Sequence, residues 1–166
     1  MSQNEPFAYK RSGNENLNKN NFEQAADDFT RAIDLNPNDA EVYNGRGTAY
    51  YGIGVTRDDS SSLDRAINDF DHALKLNPDY ESVYTARGGV FLTKGELDKA
   101  LEDFNHAIQL DSKDYYAYTG RGNTYVRKKE YEHGIKDLET AQRINPNNPD
   151  AGEYIEMARM RQKMQI

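Results

Sequence analysis

Three histidines, a recurring arginine–aspartate series and scattered amide and hydroxyl side chains are the groups in this 166-residue chain whose chemistry needs explaining. His72 and His106 take equivalent places in the chain's repeating pattern, and His133 lies further on. A zinc shell needs three or four ligands converging at about 2 Å from one ion. No His-Glu-x-x-His pair is present and cysteine is absent, so nothing completes such a shell and the histidines read as surface residues. Asp58 and Asp59 are too few carboxylates for a calcium loop. The lack of cysteine also removes disulfides and thiol chemistry. No nucleophile–base motif or glycine-rich phosphate loop occurs. The chain is therefore expected to be no enzyme and to hold no metal and no cofactor.

The charged residues point to structure first. Arg46, Arg87 and Arg121 each directly precede a glycine. Asp28, Asp69, Asp103 and Asp137 each lie four residues before an alanine: Ala32, Ala73, Ala107 and Ala141. Two matched series suggest a ladder of ion pairs; the alternative is that the arginines bind an acidic ligand. Arg127-Lys128-Lys129 closes a helix, where cations favour the dipole. The net charge of −7, from 21 basic and 28 acidic residues, opposes a nucleic-acid backbone or an anionic membrane as partner. Met1 to Glu5 is polar, and no apolar run approaches membrane length. A cytoplasmic protein is expected.

The elements that carry these groups recur. Gly13, Gly47, Gly88 and Gly122 define the frame, with successive separations of 34, 41 and 34 in the numbering. A tyrosine stands four positions before each: Tyr9, Tyr43, Tyr84 and Tyr118. Self-similarity at this period means stacked helical units rather than one globule around one pocket. A hydrophobic content of 36% suits such a thin array. In the third unit Val83, Tyr84, Arg87, Gly88 and Phe91 form helix A, and Gly95 ends it, since glycine accepts the left-handed conformation. Leu97, Ala100, Leu101, Phe104, Ala107, Ile108 and Leu110 then form one apolar stripe on helix B. The small residues predict close helix approach, with Gly13, Gly47, Gly88 and Gly122 facing Ala25, Ala66, Ala100 and Gly134. Phe29, Phe70, Phe104 and Leu138 fill the next layer. Pro37, Pro78 and Pro146 stop helix B; Ser112 replaces that proline in the third unit. The units run 6–39, 40–80, 81–114 and 115–148, after a short extension over 1–5. The second carries a seven-residue insertion, and Gly54–Ser62 reads as a mobile loop with a helix N-cap near Ser61 or Ser62. Residues 149–166 read as a capping helix, with Ala151, Tyr154, Ile155 and Ala158 covering the last unit.

This pattern over residues 6–148 resembles the tetratricopeptide repeat (TPR) family. It departs before the glycine, where the family often has leucine and this chain has Ser12, Arg46, Arg87 and Arg121. The resemblance implies an all-α fold, a right-handed superhelical solenoid of four helix pairs plus the C-terminal cap. It also implies a concave groove lined by the A helices that binds a peptide or a protein partner without catalysis. The family's groove positions map to Lys10, Arg11, Asn14 and Asn18 in unit one, and to Asn44, Thr48 and Tyr51 in unit two. They map to Thr85, Gly89 and Leu92 in unit three, and to Tyr116, Thr119, Asn123 and Arg127 in unit four. Spacing of i, i+4 puts each set on one stripe, and amide and hydroxyl groups can bond a peptide main chain. Gly45, Gly89 and Gly120 are expected to leave room for the ligand. Lys10 and Asn14 also match the first two residues of the family's carboxylate clamp for chaperone tails. The match then fails at Gly45, Ser82 and Ala86. The rival reading is self-assembly, with Met157, Met160 and Met164 as a homodimer face.

Overall fold

The structure, a computed structural model, describes residues 5–147 and 149–164, with the side chains of residues 149 and 150 outside that description. The expected extension over 1–5 therefore falls outside it except for Glu5, which opens the first helix. The last residue of the expected fourth unit, Asn148, and the last two of the cap also lie outside.

Nine α-helices make up the described residues: α1 (Glu5–Asn18), α2 (Phe22–Leu35), α3 (Ala40–Arg57), α4 (Ser60–Leu76), α5 (Glu81–Lys94), α6 (Leu97–Leu110), α7 (Tyr115–Arg127), α8 (Tyr131–Ile144) and α9 (Pro149–Lys163). None is long and apolar enough to cross a membrane. The chain divides into two compact units, Met1–Val90 and Phe91–Ile166.

In the first unit α1 packs on α2, α2 on α3 and α3 on α4. Alanines at 25, 26 and 32 give α2 a flat buried face around Phe29, which is fully enclosed. The ring of Phe29 occupies the space two glycines leave open: a Cβ at Gly13 would stand 2.8 Å from it, and one at Gly45 still closer. The aromatic ring, rather than alanine, is thus what Gly13 makes room for. Gly45 does not leave room for a ligand as expected, because Phe29 already fills the gap. The second cluster repeats the scheme, with Phe70, Ala66, Ala73, Leu63 and Leu74 against Val83 and Val90.

In the second unit Gly120 is closed by the Phe104 ring in the same way, again contrary to the expected open space. Gly122 and Gly134 do face each other: a Cβ on Gly122 would lie 3.0 Å from the Gly134 carbonyl oxygen, and one on Gly134 2.8 Å from that of Gly122. Val126, Tyr131 and Leu138 then receive Ile155 and Ala158 of α9.

The A-to-B turns share one construction. Asn20, Asp58, Gly95 and Lys129 all have positive φ, from 54° to 78°. The residue after each donates its backbone N–H back into the helix, to the carbonyls of Asn16, Gly54, Phe91 and Tyr125 at 2.9–3.0 Å. This is the Schellman closure, which satisfies carbonyls at a helix end. The seven-residue insertion does not alter it. α3 has 18 residues and α4 has 17, against 14 in α1, α2, α5, α6 and α8. The excess is 4 + 3 = 7, so the insertion is taken up as about one further turn on each helix. The expectation of a loop over Gly54–Ser62 is corrected accordingly: Gly54–Arg57 end α3 and Ser60–Ser62 open α4. The N-cap is Asp59, whose carboxylate accepts from the Ser61 N–H at 3.0 Å and from the Ser61 hydroxyl at 2.8 Å.

The B-to-A turns also recur. Asn36, Asn77, Asp111 and Asn145 each accept a hydrogen bond from the backbone N–H two residues on. Such an Asx turn sets the reversal. It forms around Ser112 as it does around the prolines, because the side chain of the preceding residue closes it.

Candidate functional site

The arginine–aspartate series is turned inward. Arg46 Nε and Nη2 each donate to Asp69 at 2.8 Å, and its third nitrogen donates to the Thr30 hydroxyl at 3.2 Å. Arg121 repeats this with Asp137 at 2.7 and 2.8 Å and with the Asn105 side-chain carbonyl at 2.7 Å. Arg87 bonds Asp71. Thr30, Asp71 and Asn105 are equivalent residues, each 16 positions before its arginine and next to Phe29, Phe70 or Phe104. Asp69 and Asp137 are 6% and 7% exposed, and hydrogen bonds to them raise Arg46 and Arg121 above the usual guanidinium value against the opposing effect of burial. Each guanidinium also lies over a tyrosine one turn back: Arg46 over Tyr43, Arg87 over Tyr84 and Arg121 over Tyr118, at 5.4–5.8 Å. Where Ser12 stands instead of arginine, Asp28 accepts from the Ser12 hydroxyl at 2.7 Å and the Asn16 amide at 2.9 Å. These arginines join helices of one chain, which leaves little of them for an acidic ligand.

The expected partner-binding residues fall on the A helices, and many are held by the chain itself. In the first unit the Lys10 ammonium sits between Asp39, at 3.0 Å, and Glu41. Burial lowers its proton affinity, but hydrogen bonds to Glu41 and Asp39 more than compensate and raise it above the ordinary lysine value. Asn14 is exposed, and Asn44, Thr48, Tyr51 and Thr85 are half-buried. Asn44 hydrogen-bonds the Tyr80 phenol. The Thr48 hydroxyl donates to the Asn44 carbonyl at 2.9 Å, and Tyr51 donates to the Gly89 carbonyl at 3.3 Å.

In the second unit the Thr119 hydroxyl donates to the Tyr115 carbonyl at 2.8 Å. Arg127 donates to the Leu92 carbonyl. Tyr116 is 65% exposed, its ring 4.0 Å from that of Tyr115. Asn123 is half-buried on the same helix. Thr48 and Thr119 thus spend their hydroxyl hydrogens on their own helices, whereas an asparagine amide can both donate and accept.

Tyr80 is a residue that sequence reasoning passed over. It lines a cavity of about 430 Å³ with Asn36, Asn38, Asp39, Glu41 and Asn77. Burial raises its phenol pKa, opposed by the hydrogen bond from Asn44. One signal was available: in the repeat frame Tyr80 occupies the place of Asp39 and Asp114, both of which cap the next helix. Among the described residues, no three His, Cys, Asp or Glu side chains gather as metal ligands would.

Helix pairs of recurring length, glycines filled by a B-helix ring, and Schellman turns at each hairpin agree with the comparisons. A family described as TPR repeat matches residues 13–54 and 88–129, and one described as tetratricopeptide repeat matches 47–80 and 115–148. The chain belongs to the tetratricopeptide repeat family. Its fold is an all-α TPR solenoid. Among solved structures it is similar to MamA from Desulfovibrio magneticus RS-1 (21% identity, 98% of this chain and 88% of that one, TM-score 0.81). It is also similar to the TPR domain of OM64 from Arabidopsis (26%, 73% and 94%, TM-score 0.66). A third is the first TPR of Spaghetti, bound to an HSP90 peptide (23%, 73% and 90%, TM-score 0.67). No curated protein sequence matches the chain.

Proposed function

We propose that this TPR chain is an interaction module, an adaptor that binds a peptide or helix of a partner protein on its A-helix stripes. The observation that carries this reading is the α7 stripe. It exposes a 65% accessible tyrosine, Tyr116, beside Thr119, Asn123 and Arg127, on a helix fixed from behind by the Arg121–Asp137 fork. A rigid scaffold loses little conformational freedom on binding, so more of the contact energy appears as affinity. The first unit offers the exposed Asn14 and the half-buried Asn44, Thr48, Tyr51 and Thr85. A TPR relative of similar fold binds an HSP90 peptide. The ligand chemistry differs here, because Lys10 is already neutralised by Asp39 and Glu41. A carboxylate terminus would have to displace the chain's own carboxylates. The module is therefore read as recognising peptide main chain and aromatic or apolar side chains.

The test is crosslinking capture from native extract with the wild type and with the Asn44→Ala/Thr119→Ala/Asn123→Ala variant, each checked for native helix content. A partner retained by wild type and lost by the folded variant supports the stripes as the site. Equal capture by both moves the site elsewhere on the chain.

A further inference from the structure

α9 has two faces. Ala151, Ile155 and Ala158 are buried, with Ile155 and Ala158 in the cluster around Val126 and Leu138. Turned away from them are Met157 and Met160, and Met164 follows directly after the last helical residue, its backbone N–H donating to the Met160 carbonyl at 3.2 Å; the three are exposed by 38%, 64% and 80%. Separations of three and four place these methionines on one stripe. The same spacing is the a–d–a register of a coiled-coil heptad. In that register Glu156 takes the g position and Arg161 the e position. In a parallel pair of helices, g of one faces the following e of the other. Opposite charges stand at those two places.

Position 156 also limits what can cover the stripe. Carried one period beyond Gly122, the repeat frame reaches Glu156, where each earlier A helix has the glycine that admits its B helix. Glu156 is exposed and blocks that close approach. The methionine face therefore suits a helix held off by interdigitating side chains, about 8–10 Å away. Among the described residues Glu156 has an exposed contact from Arg159 at 3.3 Å, and Arg159 also binds Glu139.

We propose that α9 pairs in parallel with α9 of a second copy of this chain. Met157, Met160 and Met164 stack against their counterparts, and Glu156 of each copy meets Arg161 of the other. In the frame that carries Gly122 to Glu156, Asn123 and Arg127 are carried to Met157 and Arg161, so the pairing face continues the pattern of the α7 stripe. The contact is short, which places it among weak, concentration-dependent interfaces.

Sedimentation velocity of the full chain from about 1 to about 300 µM, a range suited to weak association, tests this. The wild type should rise from the monomer mass of 19.0 kDa toward twice that value. Met160→Glu should stay at monomer mass throughout while keeping native helix content, since the side chain is solvent-facing. Glu156→Arg and Arg161→Glu should each weaken association by about tenfold, and the double swap should restore it to within a factor of about three. The proposal is overturned by a wild type that remains monomeric at every concentration. A dimer untouched by Met160→Glu, or a double swap weaker than either single variant, overturns it equally.

Discussion

Arg46 shows how much one side chain can hold. It forks onto Asp69 in α4 and reaches back to Thr30 in α2, so one guanidinium fastens three helices. Arg46→Met strands a carboxylate that is 6% exposed, and urea unfolding of the full chain should register a loss of about 3–5 kcal/mol. The pair Arg46→Met/Asp69→Leu should recover most of that loss, because removing both charges leaves nothing buried without a partner. The arginine and its aspartate were legible in the sequence, since both recur in step with the glycine. The third contact was not: its acceptor is a hydroxyl at Thr30, a carboxylate at Asp71 and an amide at Asn105, and only the geometry repeats. A second residue-scale prediction concerns Lys129, held at φ 67°. A side chain there carries the left-handed penalty that glycine avoids, so Lys129→Gly should stabilise the second unit by about 0.5–1 kcal/mol in the same assay.

At the scale of the element, the insertion is the place where sequence reasoning failed. Asp58-Asp59-Ser60-Ser61-Ser62 has the composition of a loop, yet the same residues serve equally well as a left-handed C-cap, an N-cap and a first helical turn. Composition does not choose between these; phase does. A seven-residue insertion is about two helical turns, so one turn added to each helix returns the apolar faces to register, and Leu63 is buried against Gly54. The cap has a pH signature. Hydrogen bonds from Ser62 and Ser61 hold the Asp59 carboxyl below its ordinary value of 3.8. A depressed folded-state pKa favours the folded turn above the ordinary value and loses that contribution as pH falls through the lowered one. Amide exchange at Ser61 to Asp64 should therefore be slow at neutral pH and accelerate, relative to an uncapped helix, once the pH drops below about 3.8. Asp59→Ala should show the faster exchange already at neutral pH; unchanged exchange in that variant would mean the carboxylate does not cap α4.

Across the whole molecule, repeats were legible because a period survives substitution, whereas the proposed binding stripes were legible only as positions. Whether Thr119 or Lys10 faces a ligand or its own chain depends on neighbours both near and far along the sequence, such as Tyr115 for Thr119 and Glu41 for Lys10, which no local pattern encodes. The same neighbour logic gives a prediction about stability. In a repeat array each helix pair is stabilised chiefly by the pairs it touches. α9 packs on α8 and α7, covering Val126, Tyr131 and Leu138 with Ile155 and Ala158. A chain ending at residue 147 exposes that cluster, which should cost about 3 kcal/mol for the lost burial of Ile155 and the smaller side chains around it. The loss should be local. Hydrogen exchange should quicken most in α7 and α8 and hardly at all in α1 and α2, where Phe29 remains enclosed by Gly13 and Gly45. An equal loss of protection in every helix would mean that the chain unfolds as one cooperative body, and that the cap stabilises all of it rather than its neighbours.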